Sequence, residues 1–492
     1  MYSLKNILIF HPYIFAILPV FYLYSINFYE YPVAVILKPI ASLVSVTLIS
    51  LVLLNKTIKD KHKSATVFSI FIFFIFLFGP LYFIFCVGEE GHKILRFRYF
   101  LFIYLFVFIS ILFFFLKRHL DFIKISRFFN LLALAILLVM AFNTIIGLYP
   151  SLNILFKDND CLKNISAHKN RFNPLKIHGN LPDIYFIVLD SYPDHNSLRD
   201  ILNFKNENFI NDLIDKGFFI IQDSHSNYNF TRFSIPATFS LDYLPMDKIG
   251  NETFRLKKEE IYLKRIQCSP VISFLRSIGY NCYIDSPLES KKYKEIEFLN
   301  SLLTMTPLVT PYIQNYISSF LFREYALSTL KSLENSLNFK SPFFVYVHIM
   351  IPHLPFMFDR FGNMPDFLNQ KDVEKLFIEQ LIYTNTRIKK IIDNILSMSQ
   401  KGPVIIIQGD HGPDLIIKSK DKSMQIRTGI LNAVYLPDKK ENIFYNGMTP
   451  VNTFRILFNE YFGTNFAILP DIIYYQRDER DKLVIYKPKK YY

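Results

Sequence analysis

The sequence predicts an N-terminal transmembrane α-helical bundle of five spans followed by an α/β domain with a mostly parallel central sheet. Three observations lead there. Before about residue 150 the 492-residue chain runs in long apolar stretches. After about residue 180 it alternates short apolar runs, helical patterns and polar loops. The whole is 51% hydrophobic, with 52 Phe and no Trp and a mean hydropathy of +0.22, which is high for a soluble protein of this size.

Each apolar stretch has the length a bilayer demands, about 20 residues for roughly 30 Å of hydrocarbon. They run over 5–27, 32–54, 65–87, 97–116 and 128–148. The first lacks the small-residue cleavage site of a removable signal peptide. Loop charge orients them. The loop after the second span carries Lys56, Lys59, Lys61 and Lys63, and the loop after the fourth carries Lys117, Arg118, Lys124 and Arg127. Both belong on the cytoplasmic side. The first loop has only Glu30, whereas the third is discordant, with Glu89 and Glu90 beside Lys93, Arg96 and Arg98. Five crossings from a cytoplasmic N-terminus place everything after residue 150 outside, in the periplasm or extracellular space.

That distribution also explains the net charge of +13 without nucleic acid, because many of the Lys and Arg sit in short loops between apolar segments. The four cysteines show no metal-binding spacing. Cys86 lies in an apolar segment, Cys268 and Cys282 form the candidate disulfide, and Cys161 is then left over.

Residues 151–180 read as a juxtamembrane linker, and the soluble domain occupies 181–492. Its first strand is the run Asp183-Ile-Tyr-Phe-Ile-Val-Leu-Asp190. Continuous apolar runs of this kind mark parallel strands covered on both faces. Others follow at Phe218–Ile221, Asn281–Asp285, Phe343–His348, Val404–Gln408 and Gly429–Leu436, with helical patterns at Glu259–Ile278, Lys371–Ser397 and Val451–Phe462. Alternating strands and helices imply helices on both faces of the sheet.

Ligands bind such sheets at the carboxyl ends of the strands, so the polar residues after each run are the ones to weigh. Asp190 closes the first strand. His348 and His353 follow Phe-Phe-Val-Tyr-Val. Asp410 and His411 follow Val-Ile-Ile-Ile-Gln, in Gly409-Asp-His-Gly412. An Asp after a strand is ordinarily a turn or cap residue, and an Asp-His pair can be purely structural. At one sheet edge together, they outline a divalent metal site that suits Zn or Mn better than Ca or Mg. The flanking glycines are expected to let the backbone turn sharply. Thr231 lies where a loop enters a helix. It is either an N-cap or a nucleophile activated by the helix dipole and a metal.

The stretch Thr231-Arg-Phe-Ser234-Ile-Pro236-Ala-Thr-Phe-Ser240 matches a T-x-x-S-x-P-x-x-F-S pattern. With it, the chain over about 181–470 resembles the alkaline phosphatase/sulfatase superfamily. The resemblance is to its membrane-anchored branch, which includes phosphoethanolamine transferases and lipoteichoic acid synthases and carries a sulfatase-type domain. It implies an alkaline-phosphatase-like fold and a metal held by Asp190, Thr231, Asp410 and His411. His353, in His353-Leu-Pro-Phe356, matches a substrate-binding histidine. There are departures. Ser234-Ile-Pro236-Ala-Thr238 lacks the Arg of the sulfatase C/S-x-P-x-R motif, so Ser234 is a weaker nucleophile candidate than Thr231. Asp190 stands where the transferases often have Glu. No motif supplies a full second metal set, although His225, His348, Asp194 and His195 are possible contributors.

The resemblance implies transfer of a phospho-alcohol group, of phosphoethanolamine or phosphoglycerol type, through a covalent Thr231 intermediate. The donor would be a membrane lipid and the acceptor an envelope glycan or lipid. The alternatives are a phosphatase or sulfatase that releases its product to water, and an inactive domain that binds envelope components.

Overall fold

The computed structural model describes residues 8–27, 31–87, 94–157, 181–244, 266–287, 290–307, 311–366, 372–399, 402–415, 417–437, 443–477 and 484–487. The chain divides into two compact units. One is Met1–Lys157 with Lys291–Ser318, and the other is Asp158–Ser290 with Ser319–Tyr492. In chain order the first helices are α1 (His11–Asn27), α2 (Ala34–Ile58), α3 (Lys61–Tyr82), α4 (Phe97–Lys117) and α5 (Phe122–Lys157). Then come β1 (Ile184–Leu189), α6 (His195–Leu202), α7 (Glu207–Asp215), β2 (Phe219–Ile220), α8 (Thr231–Ser240), α9 (Pro270–Ser277) and β3 (Asn281–Asp285). The rest are α10 (Lys291–Thr304), α11 (Pro311–Asn335), β4 (Phe343–Ile349), α12 (Val373–Met398), β5 (Val404–Gly409), α13 (Lys420–Thr428), β6 (Asn432–Tyr435), α14 (Thr453–Phe462), β7 (Ile473–Tyr475) and β8 (Val484–Tyr486).

In the helical unit, Ala34–Ile58, Lys61–Cys86, Phe97–Lys117 and Phe122–Ile145 are long and apolar enough to cross a membrane. Four of the expected five stretches meet that standard; α1 has 17 described residues. Phe102, Phe106, Leu131 and Leu138 face outward, each at least 60% exposed. Such a surface suits hydrocarbon rather than water. Inside, Asn130 on α5 receives the backbone N–H groups of Phe10 and His11 on its Oδ1, at 3.2 and 3.0 Å. It thereby satisfies donors that the start of a helix leaves without partners. α5 continues to Lys157, into the stretch expected as linker. Residues 158–180 of that linker, Cys161 among them, lie outside the described residues.

α10, expected inside an uninterrupted soluble domain, clusters with the helical unit. Phe298 is fully buried there, its ring 5.2 Å from that of Tyr31. Lys38 Nζ pairs with Glu295 at 3.0 Å. Gly79 N donates to the Met305 carbonyl at 3.0 Å, and a Cβ on Gly79 would lie 2.2 Å from the Thr304 carbonyl oxygen. Only glycine permits that approach.

The second unit is built on a six-stranded sheet in the order β2-β6-β5-β1-β4-β3. β1 is parallel to both β4 and β5, and β3 is parallel to β4, while β6 and β2 are antiparallel at one edge. All six expected strands are present, and β7 with β8 forms a separate antiparallel pair. Ile184, Phe186 and Val188 join a core with Phe239 of α8, Phe274 of α9 and Phe454 of α14. The alternate residues Tyr185, Ile187 and Leu189 are just as buried, so both faces are covered.

Two sequence expectations need correction. Of the helix expected over Glu259–Ile278, the described part begins as α-helix only at Pro270, where Ser269 accepts from Ile272 N and caps it. Residues 251–265 lie outside the described residues. Cys282 is a free thiol whereas Cys268 is disulfide-bonded, so the pairing of these two does not form. Cys282 sits in β3, half-buried against the core.

Candidate active site

Register brings the motifs together. Leu189 of β1 lies opposite Ile349 of β4 and Gly409 of β5. The residues that leave the sheet next, Asp190 and Asp410, therefore emerge side by side. Gly409 and Gly412 serve close approach rather than an unusual φ. A Cβ would lie 2.3 Å from the Tyr192 carbonyl oxygen at Gly409 and 1.7 Å from the Ile426 carbonyl oxygen at Gly412. Neither has a left-handed backbone.

Both oxygens of each carboxylate have partners. Asp410 Oδ1 accepts from the backbone N of Ser191 at 3.1 Å and of His411 at 2.9 Å. Its Oδ2 accepts the Thr231 hydroxyl at 2.6 Å. Asp190 Oδ2 receives His348 Nε2 at 3.1 Å, while its Oδ1 lies 3.9 Å from His411 Nε2. Thr231 Oγ1 lies 3.1 Å from that same imidazole nitrogen. Thr231 is the first residue of α8 but does not cap it. The N-cap position is Phe230, without a side-chain bond.

Two buried carboxylates side by side need compensating charge. Burial raises the pKa of Asp190, but the facing His353 and the hydrogen-bonded His348 outweigh it and hold the carboxyl well below the usual range. Burial pushes the His411 imidazole down to about 4, with the Arg427 charge adding to it against the pull of Asp410. His411 is thus neutral, as a metal ligand must be. Burial alone would lower His348; its hydrogen bond to Asp190 and the charges of Asp190 and Asp410 raise it.

One ligand atom each from Asp190, Asp410 and His411 lie within 4.8 Å of one another. Two carboxylate oxygens, one imidazole nitrogen and the adjacent hydroxyl are a donor set that fits a divalent metal ion. A buried Asp/His group able to hold a divalent metal is therefore present.

Sequence candidates outside this group separate clearly. His348 belongs to the support, since Tyr346 OH lies 3.2 Å from its Nδ1 and its Nε2 fixes Asp190. His353 lines a small cleft beside the cluster with Ser191, Phe356 and Asp414, its ring 6.3 Å from that of His411. The Ser234 hydroxyl turns back to the Thr231 carbonyl at 3.4 Å. Asp194 caps α6. His225 pairs with Thr428, 3.1 Å away. Sequence reading missed Ser191, Tyr346 and Arg427. Tyr346 was findable, two residues before His348 on the same face of a strand; the other two belong to no motif.

A model of the sulfatase family matches residues 182–457, more than half of the chain, and the chain belongs to that family. It is an enzyme of the sulfatase-like hydrolase/transferase class. No curated protein matches the chain. Among solved structures it is similar to the C-terminal periplasmic domain of EcEptC from Escherichia coli in complex with Zn. That match has a TM-score of 0.42 and 11% identity over 63% of this chain and 94% of that one. It is also similar to the C-terminal periplasmic domain of the phosphoethanolamine transferase EptC from Campylobacter jejuni (TM-score 0.37, 12% identity, 59% and 91% covered). A third is the lipoteichoic acid synthase LtaP from Listeria monocytogenes (0.35, 14%, 62% and 78%).

Proposed function

We propose that the chain is a membrane-bound, metal-dependent phospho-alcohol transferase with Thr231 as nucleophile. The observation that carries this reading is the Thr231 hydroxyl. It starts a ten-residue helix without capping it and donates instead to Asp410 Oδ2 at 2.6 Å, beside His411 Nε2. A hydroxyl spent on capping would not lie there.

Asp190, Asp410, His411 and Thr231 Oγ1 would hold the ion. When bound, it supplies Lewis-acid stabilisation of phosphoryl charge and lowers the pKa of the adjacent hydroxyl. The positive end of α8 favours negative charge on Thr231 Oγ1, and Asp410 Oδ2 stands ready to receive its proton. Thr231 Oγ1 attacks phosphorus, and the bond from phosphorus to the donor's oxygen breaks. That oxygen leaves with the proton that Asp410 took from Thr231, leaving a phospho-threonine diester. An acceptor hydroxyl then attacks the same phosphorus, passing its proton by way of Asp410 to the departing Thr231 Oγ1. His353, in the cleft, steadies the departing or arriving oxygen.

The proposed organisation is a five-span domain over 1–150 with a cytoplasmic N-terminus, a linker over 151–180 and a catalytic domain over 181–492 on the outer side of the cell membrane. The apolar helices support a lipid donor, because an enzyme for soluble esters needs no such bundle. An envelope glycan or lipid is the acceptor. Thr231→Ala is expected to lower turnover by at least a thousandfold and to abolish the covalent adduct on that residue, read by mass spectrometry. Unchanged turnover would sink the assignment. Envelope lipids and glycans compared with and without the gene identify donor and acceptor.

A further inference from the structure

Arg427 is buried beside the cluster, 8% exposed, yet it is no ligand and stands in no motif. Its Nη1 donates to the Gly412 carbonyl at 2.5 Å and lies 3.1 Å from His411 Nδ1. Its guanidinium carbon stands 5.4 Å from the centre of the Phe230 ring. The Arg427 carbonyl in turn accepts from Gly412 N at 2.9 Å. One residue thus grips the turn that carries Asp410 and His411, and also rests on the residue preceding Thr231. Those two segments are about 180 positions apart in the chain.

We propose that Arg427 is a positioning residue: a clamp that sets His411 against Thr231. His411 Nδ1 lies 2.9 Å from the Gly412 carbonyl, which also accepts from Arg427 Nη1. The far ring nitrogen, Nε2, then faces Thr231 Oγ1. The flat guanidinium stacks on Phe230 while its edge reaches Gly412, a pair of contacts that the ammonium of lysine does not reproduce.

The clamp rests on the metal-cluster reading of the site, and the experiment separates the two. Full-length chain in detergent is titrated with zinc or manganese alone against a competing chelator, and melting of the metal-free form is followed in parallel. Arg427→Gln is expected to weaken metal retention about tenfold, and Arg427→Lys by a smaller factor, as for residues that orient a metal-ligating histidine. The metal-free melting midpoint should move far less than the metal-bound one. Wild-type retention in Arg427→Gln overturns the clamp, as does a loss of metal-free melting with retention unchanged. Should Arg427→Gln not fold, Phe230→Leu removes the ring beneath Arg427, and beneath Arg232 with it, and should shift retention in the same direction; no shift overturns the clamp. A wild type that retains no ion, like Asp410→Ala in the same titration, overturns the reading of the cluster itself.

Discussion

Ser191 shows how much one residue contributes to the site. It is a non-glycine residue with φ of +63°, a conformation costing on the order of 1–3 kcal/mol. In that pose its backbone N reaches Asp410 Oδ1, and its hydroxyl donates to Asp190 Oδ1 at 3.2 Å. One strained residue thus holds both carboxylates. His225 makes a different residue-scale prediction. Burial lowers its pKa from 6.5 to about 4, against the weaker pull of Asp223. The unfolded chain therefore takes up a proton that the folded chain refuses. Stability should be full above pH 6.5 and fall as pH drops toward 4, by on the order of 3 kcal/mol. His225→Gln should flatten that part of the melting-versus-pH profile; an unchanged slope would assign it to other groups.

At the scale of elements, α8 and α10 show packing giving a local pattern its meaning. α8 is pinned through Phe239, whose ring lies 4.7 Å from Tyr346 and 5.8 Å from Phe186, and this fixes where its first residue, Thr231, points. α10 has an ordinary amphipathic pattern, and only contact with α1, α2 and Gly79 of α3 assigns it to the helical unit. Gly79→Ala puts a methyl group against the Thr304 carbonyl and should free this segment. Hydrogen exchange should then rise over 291–305 and stay unchanged over β1. Equal exchange in both proteins would mean that the contact does not hold α10 in place.

At the scale of the whole molecule, the loop charges predict sidedness. Lys59→Cys should react with a membrane-impermeant thiol label only after permeabilisation, and Tyr445→Cys in intact cells, each relative to the parent chain. Labelling of both in intact cells would reverse or break the proposed topology. Much of this architecture was legible in the sequence. The apolar stretches, six strands and order of motifs depend on periodicity and run length, which are local. Less legible was the site. Asp190, Thr231, Asp410 and His411 stood out by position at strand ends and by motif, but Thr231 as cap or nucleophile was undecidable from its neighbours alone.

By itself, the sequence determined the long apolar helices of the first part and the α/β character of the rest, the succession of strands along the chain and the residues that could carry chemistry. These follow from the apolar content and spacing of short segments. Only the tertiary structure decided that Leu189 pairs with Gly409, that His348 turns to Asp190, that Arg427 reaches His411, and that Cys282 stays free. The first three join residues between 16 and 220 positions apart, and the last is the absence of such a join. Strand register and packing bring such partners within bonding distance, and no local pattern encodes them.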